Sequence, residues 1–142
     1  MALKIIDHGT SEYKDMIKLR YAILRKPLGL EFSPDDLEHE QNDILICYYD
    51  DGILEGCCLL TQVDNKEVRL RQMAVLQGLQ RNGIGRALMQ FAENIARDRC
   101  YSKICMHARK TAMGFYEKLG YQKVGHEFTE VNLPHYKMEK EL

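Results

Sequence analysis

Between Met73 and Arg86 the sequence passes from an alternating apolar stretch through a short loop into Gln80-Arg81-Asn82-Gly83-Ile84-Gly85-Arg86. A glycine-rich turn that opens a helix aims several unpaired backbone N–H groups, and the positive end of the helix dipole, at one point. Gly83 and Gly85 remove side chains where a ligand must approach the backbone, and Arg81 and Arg86 can offset the charge of a diphosphate. The chemistry indicated is anion binding. A nucleoside triphosphate is disfavoured, because the phosphate loop for that ligand needs Gly-Lys-Ser/Thr and here the glycines lead into Arg86-Ala87. A dinucleotide is disfavoured too: its fingerprint needs a small residue where Leu88 stands and an early strand–helix–strand unit.

Other residue types capable of chemistry are scattered. Cys105 and His107 stand two apart on a predicted strand and share a face, a spacing that permits a thiolate–imidazole pair, although strand cysteines are usually inert core. Tyr116 lies on a predicted amphipathic helix, and His135 follows Pro134. The acidic residues from Asp35 to Glu40 read as a solvated helix surface.

The elements that would position these groups follow from periodicity. Ala2 to Asp7 reads as a first strand, and Ser11 as the cap of a helix running through Leu24 until Pro27 and Gly29 stop it. Ser33-Pro34 has the order of an N-cap and first helical residue, so a short helix through Leu37 and Glu40 is expected. Ile44 to Tyr49 and Ile53 to Thr61 form a hairpin about Asp50-Asp51-Gly52, and a turn at Asp64-Asn65-Lys66 leads into a strand from Glu67 to Leu76. Within that strand Val68 and Leu70 alternate in one phase and Met73 and Val75 in the other, which predicts a bulge near Arg71 and Gln72.

From Gly83 to Arg99 the residues Ile84, Ala87, Leu88, Phe91 and Ile95 share one helical face, with Arg86, Gln90, Glu93, Asn94 and Arg97 elsewhere. Strands at Lys103 to Ala108, Tyr121 to Val124 and Tyr136 to Lys140 follow, with a helix at Thr111 to Leu119 ended by Gly120. Strands flanking the long helix imply a crossover and a parallel pair. The expected fold class is mixed α/β.

With these elements in order, the sequence resembles the GNAT N-acetyltransferase family. Gln80-x-x-Gly83-x-Gly85 matches that family's Gln/Arg-x-x-Gly-x-Gly/Ala motif, and Phe115-Tyr116-Glu117-Lys118-Leu119-Gly120-Tyr121 matches its Phe-Tyr-x-x-x-Gly-Phe/Tyr helix. The likeness is strong from Glu67 to Val124. Leu19-Arg20-Tyr21 to Leu28-Gly29 and Pro134-His135-Tyr136-Lys137-Met138 extend it loosely, in the manner of the ElaA-like branch. Where many members carry asparagine, three residues before the alanine corresponding to Ala112, this chain has Arg109.

The resemblance implies an acyl-CoA N-acyltransferase fold: a central, mostly antiparallel sheet with a splayed parallel pair, flanked by about four helices. It implies acetyl-CoA as cosubstrate, with its pyrophosphate on Gln80, Arg81, Asn82, Gly83, Ile84, Gly85 and Arg86. Its pantetheine arm would lie along the backbone of Met73, Ala74 and Val75, near Phe115 and Tyr116. Tyr116 aligns with the tyrosine that in many members stands near the cofactor sulfur, and is the expected general acid for the departing thiolate. His135, Glu38, His39 and His107 are, in that order, candidates to take the amine proton. The implied reaction moves acetyl to a primary amine of a small molecule or peptide by direct attack. A noncatalytic acyl-CoA-binding module, and a domain gripping another phosphate ligand, are the alternatives.

Composition bounds the rest. At 142 residues the chain suits a single domain, and 45% apolar with 29% charged residues is globular. A net charge of −1 offers no general attraction for nucleic acid or an anionic membrane. The amino terminus turns charged by Asp7, unlike a secretory signal, and the longest apolar runs are far short of a membrane span. A cytoplasmic location is therefore expected. Five cysteines without Cys-x-x-Cys spacing suggest reduced thiols and no structural metal. Exposed strand edges could support a homodimer.

Overall fold

The computed structural model describes residues 2–142. Its strands are β1 (Ala2–Ile6), β2 (Ile44–Asp50), β3 (Ile53–Gln62), β4 (Glu67–Val75), β5 (Lys103–Arg109), β6 (Gln122–Glu130) and β7 (Leu133–Glu141). Its α-helices are α1 (Ser11–Arg20), α2 (Pro34–Glu38), α3 (Ile84–Asp98) and α4 (Met113–Lys118). The strands form one sheet in the order β1-β2-β3-β4-β5-β7-β6, antiparallel throughout except for β4 beside β5. That is the mixed, mostly antiparallel architecture expected from the sequence.

Two apolar layers cover the sheet. On one face α3 buries Ile84, Leu88, Met89, Ala92 and Ala96 against Ile46, Leu60, Leu70 and Met106. On the other, α1 buries Tyr13, Met16 and Leu19 against Leu45, Cys47, Leu59 and Ala74. The approach of α3 is close at Gly56, where a Cβ would stand 2.8 Å from Cγ2 of Ile84 and 3.0 Å from Cδ1 of Leu88. A glycine inside a strand marks such a contact.

Several local expectations change. The cap of α1 is Thr10, not Ser11: Thr10 is extended and its hydroxyl accepts the Tyr13 N–H at 3.2 Å, while Ser11 already lies in the first turn. The α-helix also stops at Arg20, after which 21–25 widens to π winding and 26–28 tightens to 3-10 before Gly29 turns left-handed at φ 69°. The α2 cap is as expected, with Ser33 accepting the Asp36 N–H.

Two acids are buried: Glu40, expected on a solvated helix surface, and Glu93, which periodicity places off the apolar face of α3. Glu93 is buried and accepts hydrogen bonds from Tyr121 Oη at 2.9 Å and Lys140 Nζ at 3.0 Å. Glu40 is 2% exposed and forms a two-pronged pair with Arg20, itself fully buried, at 2.8 and 2.7 Å. Tyr13 Oη adds a third donor to Glu40 at 2.7 Å. Periodicity alone cannot reveal such pairs, because each charged partner looks solvated until the other is placed.

The last two strands are also longer than the sequence indicates. Gln122–Glu130 and Leu133–Glu141 form a hairpin whose turn puts Val131 and Asn132 at φ 46° and 63°. Neither residue is glycine, so the usual hairpin signal is missing and the span reads as a loop.

The bulge expected near Arg71 and Gln72 is present. Cys57 pairs with Ala74 and Leu59 with Arg71, leaving Gln72 and Met73 opposite Cys58, and Gln72 takes φ 57°. On its other side β4 pairs with β5 only from Glu67↔Lys103 to Leu70↔Met106, although β4 runs on to Val75 and β5 to Arg109. The carboxyl ends of these parallel strands are thus separated by a gap.

Removing one partner of the Arg20–Glu40 pair strands a buried charge, so Glu40→Gln is expected to lower stability by about 3–5 kcal/mol in urea unfolding. The double variant Arg20→Met/Glu40→Leu should lose less than either single change. Additive losses would show that the two residues do not act as a unit.

Candidate active site

A cavity of about 690 Å³ occupies the gap between β4 and β5. Gly83, Gly85 and Arg86 line one end, and Met73, Ala74 and Val75 form a wall. Tyr116 from α4 and His135 from β7 also face it. Residues far apart in sequence meet here because β4 runs directly into the loop before α3, and the hairpin of β6 and β7 folds across the end of β5.

The loop has the features of an anion cradle. Helix α3 opens at Gly83 (φ 81°) without a side-chain cap, so the N–H groups of its first turn have no intrahelical acceptor. Arg81 and Arg86 are exposed and form no ion pair with a described residue. Gly83 is required for its left-handed backbone. Gly85 lines the cavity and also lies against the Phe115 ring: a Cβ there would lie 3.3 Å from Cζ of Phe115.

Three loop residues differ from simple ligand contacts. Gln80 lines the cavity, but its Nε2 donates to the Val75 carbonyl at 3.2 Å and so ties the loop to the end of β4. The Asn82 amide is used within the loop, donating to the Leu79 carbonyl at 3.2 Å. Ile84 is buried and packs in the core beneath α3. Asn82 and Ile84 are absent from the cavity wall.

Tyr116 is buried yet reaches the cavity, with its ring edge-on to Phe115 and Tyr121. Burial raises the phenol pKa well above its ordinary value, so the group stays protonated. Its hydroxyl makes no hydrogen bond to another described residue.

His135 is 3% exposed, and its Nδ1 donates to the Leu133 carbonyl at 2.9 Å. That bond leaves Nε2 of the neutral ring with a free lone pair. Nε2 stands 3.8 Å from Oε2 of Glu130, whose Oε1 is 3.0 Å from His107 Nδ1. Burial pushes the Glu130 carboxyl up, but the His107 hydrogen bond and the charges of His107, His135 and Arg69 outweigh it and hold the pKa below its usual range. Arg69 Nη2 lies 2.8 Å from the same His107 nitrogen, so that nitrogen serves either the guanidinium or the carboxylate at one time.

Of the other proton acceptors expected, His107 lines the cavity, whereas Glu38 and His39 are exposed on and after α2, outside its wall. Cys105 is a buried thiol pushed up to about 12 by burial and by Glu67, so it stays protonated and cannot supply a thiolate. Glu130, Arg25 and Arg109 are wall residues that sequence reading did not assign to the site. Glu130 was hidden by the misread hairpin, and Arg25 by the change of helical winding.

Known proteins resemble this chain in sequence and in fold. Residues 31–142 match the model of the acetyltransferase (GNAT) domain. A Bacillus subtilis (strain 168) protein, the uncharacterized N-acetyltransferase YjcF, is 27% identical over 140 residues, spanning 96% of this chain and 98% of its own. Among solved structures, an aminoglycoside 6'-N-acetyltransferase complexed with coenzyme A superposes with a TM-score of 0.83 at 21% identity, over 99% of this chain and 97% of that one. Escherichia coli ElaA does so with a TM-score of 0.82 at 18% identity, over 98% of each chain. At such identities the structures share the fold, while the domain match covers most of the sequence: the chain belongs to the GNAT acetyltransferase family.

Proposed function

We propose that this acetyltransferase moves an acetyl group from acetyl-CoA to a primary amine by direct attack while both are bound. The observation that carries the reading is the single cavity joining the anion cradle to Tyr116 and His135. In this reading Arg81, Arg86 and the N–H groups opening α3 hold the pyrophosphate. The pantetheine arm lies along Met73, Ala74 and Val75, whose side toward β5 has no strand partner. Its amides suit the backbone groups there that lack a strand partner.

Acetyl-CoA supplies the thioester. His135 Nε2 takes the proton of the ammonium, and Glu130 beside it favours the resulting imidazolium. The neutral amine nitrogen then forms a C–N bond to the thioester carbonyl as the C–S bond breaks. Tyr116 gives its proton to the departing sulfur and recovers one from the amide-forming nitrogen through solvent. A backbone N–H at the bulge of β4 meets the developing oxyanion. No covalent enzyme intermediate is needed, in keeping with the protonated Cys105. Kinship with the ElaA-like branch is supported by the segments Leu19-Arg20-Tyr21 and Pro134-His135-Tyr136.

Calorimetric titration with acetyl-CoA should show saturable binding by the parent and none by Gly83→Glu, whose carboxylate faces the pyrophosphate site. A Gly83→Ala control separates that repulsion from backbone strain, since both residues must adopt the left-handed φ. Loss of binding in Gly83→Ala as severe as in Gly83→Glu would argue against a charge effect.

Tyr116→Phe is expected to lower kcat about a hundredfold with acetyl-CoA affinity retained, as read by release of free thiol. An unchanged kcat would reduce Tyr116 to a core aromatic.

A further inference from the structure

The cavity wall carries five arginines and one carboxylate, Glu130, among the described residues. The arginines fall into two sets. Arg81 and Arg86 belong to the loop and first turn of α3. Arg25, Arg71 and Arg109 belong to the side of the sheet covered by α1.

Strand register establishes this second grouping. Arg69 is paired with Cys105, and Arg109 with His135, and residues directly opposite share a face. Arg71 is two residues beyond Arg69, and Arg109 four beyond Cys105, so Arg71, Arg109 and His135 project on one side. Ile23 and Leu24 pack on the core layer of that side, and Arg25 follows them.

These three guanidinium groups are poorly neutralised. Arg25 lies over the Phe32 ring at 4.6 Å, and neither it nor Arg109 forms an ion pair with a described residue. Arg71 has Asp43 at a long 3.9 Å and Thr61 at 3.4 Å. Burial, with the like charges of Arg20, Arg71 and Arg109, lowers the Arg25 pKa despite Asp36. Glu130, the one acid among the described wall residues, lies beside His107 and His135 and pairs with none of the three arginines.

A cofactor pyrophosphate at the opening of α3 would occupy the first set and leave the second without an anion. We propose that the acceptor amine carries an anionic group, carboxylate or phosphate, held by Arg25, Arg71 and Arg109. The planar forks of arginine match both groups bidentately. Polycationic amines are disfavoured by the same charges. This inference rests on the acetyltransferase reading above and adds the class of its acceptor.

The test is steady-state acetylation by the full chain at saturating acetyl-CoA, with β-alanine against β-alaninamide, phosphoethanolamine against ethanolamine, and kanamycin as a polycation. At least one anionic member should exceed its neutral partner about tenfold or more in kcat/KM, and the pair that does so identifies carboxylate or phosphate. Arg71→Gln and Arg25→Gln should raise KM for that amine about tenfold, with kcat and the calorimetric Kd for acetyl-CoA changed much less. Arg71→Lys should recover part of the loss, which a merely misfolded variant would not.

Equal or better turnover of neutral or polycationic amines would overturn the proposal. So would arginine variants that weaken acetyl-CoA rather than the amine, or a parent that binds acetyl-CoA and acetylates no member of the panel. A parent that binds no acetyl-CoA would instead overturn the acetyltransferase reading, and this proposal with it.

Discussion

The site depends on β4 and β5 ceasing to pair after Leu70 and Met106. Parallel strands normally continue their ladder, because an unpaired backbone group away from water is costly. Here the extra residue at Gln72 bends β4 away, and the groups beyond it face a cavity instead of a neighbouring strand. An open strand edge is a liability on a protein surface, but inside a cleft it is a template for a ligand with amides of its own. The loop before α3 begins where β4 ends. The same distortion therefore brings the anion cradle to one end of the gap.

The buried pair of Arg20 and Glu40 places the other side of the cleft. Such pairs contribute little net stability compared with apolar residues of similar volume, since desolvation offsets most of the attraction. Their geometric effect is larger. Glu40 is tied to Arg20 at the end of α1 and to Tyr13 about two turns earlier, so the segment from 21 to 39 is fastened at both ends. Arg25 lies within that segment, where π winding replaces the α-helix. Its guanidinium rests on Phe32, which also lies under Arg20. A charged side chain facing the cleft is thus held by a chain of contacts that begins in the core.

What could be read in the sequence was set by local physics. Alternation changing phase between Leu70 and Met73 disclosed the bulge, and two glycines before an amphipathic run disclosed the start of α3, because both signals lie within a dozen residues. Ser33-Pro34 disclosed α2 for the same reason. The burial of Glu40 and Glu93 is not legible in the sequence, because burial of a charge is decided by a partner tens of residues away. The turn at Val131-Asn132 escaped notice because non-glycine residues adopt its positive φ values, and with it Glu130 was lost from the candidate site. Among the assigned loop residues, Gln80 and Gly85 line the cavity and make contacts that sequence alone does not show, to the Val75 carbonyl and the Phe115 ring.

The charge of the whole chain conceals the field of its cleft. A net charge of −1 coexists with a wall of five arginines and one carboxylate, because the acids lie elsewhere on the surface or in the core. Low-dielectric walls focus such a local excess. In the proposed reaction the two sets of arginines meet different anions, the cofactor pyrophosphate and the acid group of the acceptor. Both sets are then largely neutralised, so freeing the attacking nitrogen of its proton falls to His135, with Glu130 close enough to stabilise the imidazolium it becomes.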